Sequence, residues 1–322
     1  PLYPEIRVRI SAAHGSGFGH HVGMPPTPFE EATAVEVRGD ADGAYRAHID
    51  EEWNCPVVPH GGLVTAAVVR AMIAELAEPA QSLRSVTTVF AAQVTAGPID
   101  IDVTVLRRGR SISQLSATAR TPGAGAGHAT VAVFGAPRAG FQFTDTAPPV
   151  VPPPHECPSF RDPPPPEVNF AQDVHMNFWE HLEGRPASGH PPWESYLPTT
   201  SERAAWYRFD EPPMLDDGRL DPLAVVTMCD TMPGAVSERM GRRDQGYLPP
   251  SCDLTVHVLD DGYTEWVLAV NRARYAGGGY ASTEMEIWDA NCAHLLAYGT
   301  QQMFFVFPDG PPPPEERVPR TE

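Results

Sequence analysis

A small number of residues in the 322-residue sequence combine types and positions that can do chemistry. His60-Gly61-Gly62 opens a long apolar stretch that reads as a helix. A helix start presents free backbone amides and the positive end of the helix dipole, which suit a carbonyl oxygen or a phosphate. Glycines there let a ligand approach the backbone closely. His60 itself reads either as a general base or as a turn histidine capping that helix. Asp230 stands three residues before Pro233, at the end or at a kink of a second apolar helix. A carboxylate is unfavourable beside the negative end of a helix, so its presence asks for a buried chemical duty or a local turn partner. Ser251 alternates with Asp253, Thr255 and His257 along one face of a strand, and Gln301 interrupts an otherwise apolar strand, with Gln302 pointing to the opposite face. Arg107, Arg108 and Arg110 cluster in RRGRS, and Arg272 and Arg274 occupy a comparable place later in the chain. Such groups either meet an anionic ligand or are solubilising loop charges.

Composition removes other chemistries. The formal charge is −18, and all 23 basic residues are arginine. Without lysine there is no Schiff base and no phosphate-cradling lysine of a P-loop. The acidity argues against nucleic acid as a partner, since phosphate backbones need a basic face. The five cysteines, Cys55, Cys157, Cys229, Cys252 and Cys292, form no C-x-x-C pair and fit a reducing compartment. No G-x-S-x-G elbow and no H-E-x-x-H spacing occurs, so neither an α/β-hydrolase nor a metal is expected, and no cofactor is called for. His14, His20 and His21 match no ligand set. No apolar run approaches the roughly 20 residues of a membrane span, and the N-terminus lacks the order of a signal peptide. The expectation is a soluble cytoplasmic protein, with Met24 one candidate for the natural start.

The elements that must position these residues come in two similar sets. Proline-rich stretches at 147–167 and 308–322 read as an extended connector and a tail, and residues 1–29 as an irregular extension. Between them lie units at 30–146 and 168–307. The first has the short strands TAVEVRG and GAYRAHID, the helix from HGGLVTAAVVRAMIAELAE, then four strands up to HATVAVFGA. The second has AAWYRFD, the helix LDPLAVVTMCDTMPGAV with Asp221 as N-cap and Pro222 in its first turn, then four strands ending in AHLLAYGTQQMFFV. Both helices are apolar nearly all round and must be buried. The repeat predicts an α+β double hotdog: two antiparallel sheets, each wrapped around one long apolar helix.

PHGGLVTAAVVRA and VTVLRRGRSISQLSATAR in the first half, with LDPLAVVTMCDTMP, SCDLTVHV, EWVLAVNRARYAGGGYASTEMEIWD and LLAYGTQQ in the second, resemble the acyl-CoA thioesterase II family and its actinobacterial relatives, over roughly residues 30–307. That resemblance implies hydrolysis of acyl-CoA by an activated water. It places the hydrolytic set on Asp230, on Ser251 (where relatives more often show Thr) and on Gln301. In hotdog enzymes the turn equivalent to His60-Gly61-Gly62 commonly polarises the thioester carbonyl, and the arginine turns are the candidates for the CoA phosphates. The alternatives are a non-catalytic acyl-CoA- or lipid-binding protein and a hydrolase of carrier-linked acyl groups, the latter disfavoured because carrier proteins are themselves acidic. A homodimer or higher homo-oligomer is expected, because an open sheet has edges and a face to cover.

Overall fold

A helix that is apolar on every side is stable only when it is covered on every side, and the computed structural model shows the cover. It describes residues 25–39, 41–166, 176–191, 193–241 and 246–319; Met24, His14, His20 and His21 lie outside them. In the first half, α1 (Pro28–Thr33) and β1 (Val35–Val37) precede β2 (Ala44–Ile49), the buried α2 (Gly61–Leu76), and β3 (Ser82–Phe90), β4 (Gly97–Arg107), β5 (Ile112–Arg120) and β6 (His128–Gly135). In the second, β7 (Leu182–Ser188) and β8 (Glu202–Phe209) precede α3 (Pro222–Met228) and α4 (Gly234–Met240). β9 (Asp253–Val258), β10 (Val267–Gly277), β11 (Tyr280–Asp289) and β12 (Leu295–Phe304) complete it.

The architecture is a double hotdog, with one correction. The two expected sheets are a single twelve-stranded antiparallel sheet in the order β1-β2-β4-β5-β6-β3-β9-β12-β11-β10-β8-β7. That order reads the same from both ends once each second-half strand is matched to its first-half counterpart. The junction is the β3–β9 pair, in which Thr87 lies opposite Thr255 and their hydroxyls meet at 3.0 Å. Each half alone would leave a row of unpaired backbone groups at this edge, and pairing the two edges satisfies both.

The two central helices pack antiparallel inside the sheet. Arg70, midway along α2, pairs with Asp221 at the start of α3. At the other end the Thr227 hydroxyl donates to the Gly62 carbonyl at 3.3 Å. Asp221 accepts from the Leu223 amide at 2.9 Å, with Pro222 at the first helical position, as the sequence predicts. The second helix departs from its expected continuity. It breaks over residues 229–233, because Pro233 has no amide to continue the ladder, and Asp230 lies in the break. Asn271 of β10 steadies it by donating at 2.6 Å to the Met232 carbonyl, which also accepts from the Ala235 amide.

The proline-rich connector is a strap across the outer face of the second half. The Trp206 indole donates to Pro152 O at 2.8 Å, Arg185 to Pro154 O at 2.9 Å and the Thr146 hydroxyl to Glu286 at 3.2 Å. Beneath it Cys157, Trp206, Leu268, Val270 and Trp288 make a small second core. The sequence reading also omits α1 and β7; the Thr27/Glu30 capping box that starts α1 is legible as T-P-F-E.

Candidate active site

The break in the second helix meets the start of the first. Gly62 N–H donates to Asp230 Oδ2 at 2.7 Å, so the leading turn of α2 binds the carboxylate. The glycines are required by this closeness. A Cβ on Gly62 would lie 2.9 Å from Asp230 Cβ and from Thr227 O, and one on Gly61 would lie 2.9 Å from Asp230 Oδ2 and from the Phe90 ring. The Gly61 amide has no acceptor among the described residues and remains a free donor at the helix start.

Gln301 of β12 reaches the same carboxylate from the sheet, donating through Nε2 to Asp230 Oδ1. The register decides between the two glutamines. Leu254 and Gln301 face the helices, whereas Gln302 faces outward and takes its backbone partner from Asp253. Gln301 Oε1 is buried without a partner among the described residues.

Ser251 enters this face through a local irregularity. β9 pairs with β12 in one register from Val258 to Thr255, but Ser251 lies opposite Met303, one residue out of step. The extra residue near Cys252 acts as a bulge. Asp253, Thr255 and His257 therefore stay on the outer face, while Ser251 shares the face of Met303 and Gln301. No hydrogen bond joins Ser251 to Asp230 or Gln301.

His60 is 4% exposed and lies flat on Phe178, with ring centroids 3.9 Å apart and planes 7° from parallel. Its Nε2 is 3.2 Å from the Asp230 carbonyl. A carbonyl only accepts, so Nε2 carries the proton and Nδ1 presents a lone pair, 3.7 Å from Asp230 Oδ2. Nothing in the sequence pattern signals Phe178, which comes from the segment just before β7.

Burial raises the Asp230 pKa, opposed by His60, by the Gly62 amide and by Gln301. Burial lowers that of His60, against the pull of Asp230. The nearby Cys55 thiol is pushed up to about 12 by burial and by Asp230, and Cys229 is raised for the same reasons. Both stay protonated and are poor nucleophiles. The Asp230 carboxylate, an acceptor, thus lies beside the Gly61 amide, a donor with no acceptor among the described residues.

The arginines lie elsewhere. Arg108 donates to the carbonyls of Glu75 and Leu76 at the far end of α2, roughly 20 Å from Gly61 by helix rise. Arg107 and Arg110, in the same turn, are exposed. Arg272 is held by Glu202 at 2.5 Å and Glu286 at 3.1 Å, and Arg274 by Glu284, all on the outer face of the second half. Among the described residues no group of three His, Cys, Asp or Glu side chains is placed to hold a metal, and no helix is long and apolar enough to cross a membrane.

Two family models match the chain: the acyl-CoA thioesterase N-terminal domain over residues 49–135 and the acyl-CoA thioesterase C-terminal domain over 154–305. Solved structures share the fold. A conserved hot dog protein of unknown function from Alicyclobacillus acidocaldarius superposes with a TM-score of 0.71 at 23% identity, covering 88% of this chain and 100% of its own. An acyl-CoA thioesterase II from Mycobacterium marinum gives 0.65 at 21% identity, covering 88% of this chain and 100% of its own. No curated protein matches the sequence.

Proposed function

The chain belongs to the acyl-CoA thioesterase family, whose members are thioester hydrolases, and on that premise we propose that Asp230 is its catalytic base. A water held between Asp230 and the unpartnered Gln301 Oε1 gives its proton to the carboxylate and attacks the thioester carbonyl carbon. The developing oxyanion takes the Gly61 amide, a preorganised donor at the positive end of α2. Collapse of the tetrahedral adduct breaks the C–S bond. The CoA thiolate leaves readily because its conjugate acid has a pKa of about 8.5, and the proton held by Asp230 returns to it or to solvent. Ser251, on the same face, orients the water. His60 adds a second acceptor at Nδ1 and packs the site against Phe178.

The observation that carries this reading is the convergence of α2 and β12 on one buried carboxylate that the helix break supplies. A carboxylate beside an amide without an acceptor supports hydrolysis over carriage, because a lipid carrier has no need of that pair. For the CoA phosphates, Arg107 and Arg110 are the arginines of the predicted set whose guanidinium groups have no partner among the described residues. Five free thiols fit a cytoplasmic enzyme of acyl-lipid metabolism. Two rings just before the strap, Phe141 at 102% and Phe143 at 84% exposure, favour a homo-oligomer.

The test is thiol release from acyl-CoAs by the wild type, Asp230→Asn and Gln301→Ala. Loss of a general base is expected to lower kcat by about 10²–10⁴. Equal rates for wild type and Asp230→Asn would remove Asp230 from the mechanism. Tight acyl-CoA binding without turnover by the wild type would favour the carrier.

A further inference from the structure

Beyond the Asp230 carboxylate, the inner face of the first half carries polar groups that the hydrolysis does not use. His128, at the start of β6, is 7% exposed, and its Nδ1 has no partner among the described residues. Thr130, two residues on and on the same face, meets the Thr88 hydroxyl at 2.9 Å, and Thr88 meets Thr65 of α2 at 3.1 Å. These hydroxyls satisfy one another, whereas the imidazole does not. A buried polar nitrogen without a partner in a native fold calls for an explanation, and no neighbouring residue supplies one.

Its place suggests the partner. The His128 ring stands edge-on to Phe90, with centroids 4.9 Å apart and planes at 76°. The far edge of Phe90 and Asp230 Oδ2 each lie 2.9 Å from the point where a Cβ on Gly61 would be. Asp230, Gly61, Phe90 and His128 therefore form one continuous wall, and Phe90 stands between the carboxylate and the imidazole. His128 is set back from the thioester carbonyl by the thickness of that ring, where the acyl group and not the reacting carbon would lie.

We infer that His128 is a specificity residue for an acyl group carrying an uncharged oxygen, a hydroxyl or a keto group, on the chain beyond the thioester carbonyl. The inference rests on the thioesterase reading of the Asp230 site. Burial pushes the His128 pKa down to about 4, so the ring is neutral and offers one donor and one acceptor. A hydroxyl uses either and a keto oxygen the donor. An acyl carboxylate would enter this apolar wall without a countercharge, which desolvation opposes. An unsubstituted chain would leave the nitrogen unpaired, and that cost is what separates the substrates.

The experiment compares octanoyl-CoA with its 3-hydroxy, 4-hydroxy and 3-keto derivatives, using wild type, His128→Phe and His128→Asn. The wild type is expected to favour at least one oxygenated chain about tenfold or more in kcat/KM. His128→Phe should abolish that preference, read as the ratio of kcat/KM values for oxygenated and unsubstituted chains on one preparation, and His128→Asn should restore part of it. A wild type indifferent to all three derivatives, or a preference that survives in His128→Phe, overturns the assignment. If the wild type hydrolyses none of the four, the thioesterase reading fails instead. The same ratio is then read from equilibrium binding of the four esters, where loss of preference in His128→Phe supports the assignment and its persistence overturns it.

Discussion

Asp230 is held where a carboxylate is least comfortable, in a dry junction between two helices, and the discomfort has two measurable consequences. Its pKa is raised by burial, so the folded state holds the proton more tightly than the unfolded chain, whose aspartate titrates near about 3.9. The ionised form therefore costs stability as pH rises from that value through the folded pKa, and the full cost is present above it. Asp230→Asn can keep the Gly62 bond and meet Gln301 through a flipped amide. It is expected to melt a few degrees higher than wild type at neutral pH, in calorimetry, while losing activity; a lower melting point would show that the charge is compensated. The same shift sets the pH profile: kcat/KM should climb with pH around an inflection above the ordinary carboxylate range. Much of this was readable in the sequence. An aspartate near a proline at a helix end is anomalous enough to single out, and Gln301 interrupts an apolar strand. Ser251 was less legible, because simple alternation puts it on the outer face with Asp253, Thr255 and His257. The displaced bridge at Met303 brings it inside, and one extra residue in a strand leaves no mark in a periodicity.

The elements meet with little room between them. A Cβ on Gly62 would lie 2.9 Å from both Asp230 Cβ and the Thr227 carbonyl oxygen, so Gly62→Ala must push α2 and α3 apart. A loss of about 1–3 kcal/mol is expected from such overpacking, together with at least a tenfold fall in kcat, because the carboxylate moves with the break. Chemical denaturation and thiol release on the same preparation measure the two effects. If the variant kept full activity, close apposition of the helices would not matter to the chemistry. Both central helices were evident from their apolar faces, as was the Asp221-Pro222 start of the second. The break was only half-evident. Pro233 ends a ladder in any helix, but the partner that stabilises the break, Asn271, comes from β10, about forty residues away in sequence. Local patterns do not report such long-range hydrogen bonds. The strap was legible only as an extended connector: proline runs exclude a sheet interior, but no local pattern shows that their carbonyls accept from Trp206 and Arg185 on a sheet face.

At the scale of the whole molecule, among the described residues the strap covers the outer sheet face of the second half and no segment covers that of the first, and Phe141 and Phe143, just before the strap, are exposed. If these rings seat on a second copy, the double variant Phe141→Ser/Phe143→Ser should run as a smaller species by sedimentation with its melting transition otherwise intact; an unchanged sedimentation coefficient would count against that role. The repeat itself was the clearest signal in the sequence. The fusion of its two sheets was not, because the β3–β9 pair is set by which edges lack partners and not by any motif. That pairing also relates the halves residue by residue. With Thr87 matched to Thr255, the counterpart of Gln301 is Ala132, and the counterpart of the broken helix is the unbroken α2. A symmetric pair of separate subunits would have to keep both copies of every catalytic group, since one gene writes both. Joined covalently, the halves are released from that obligation: one contributes the Gly61 amide and the other the Asp230 carboxylate. Titration with a non-hydrolysable acyl-CoA analogue should accordingly saturate at one equivalent per polypeptide, half the count that two intact hotdog sites would give.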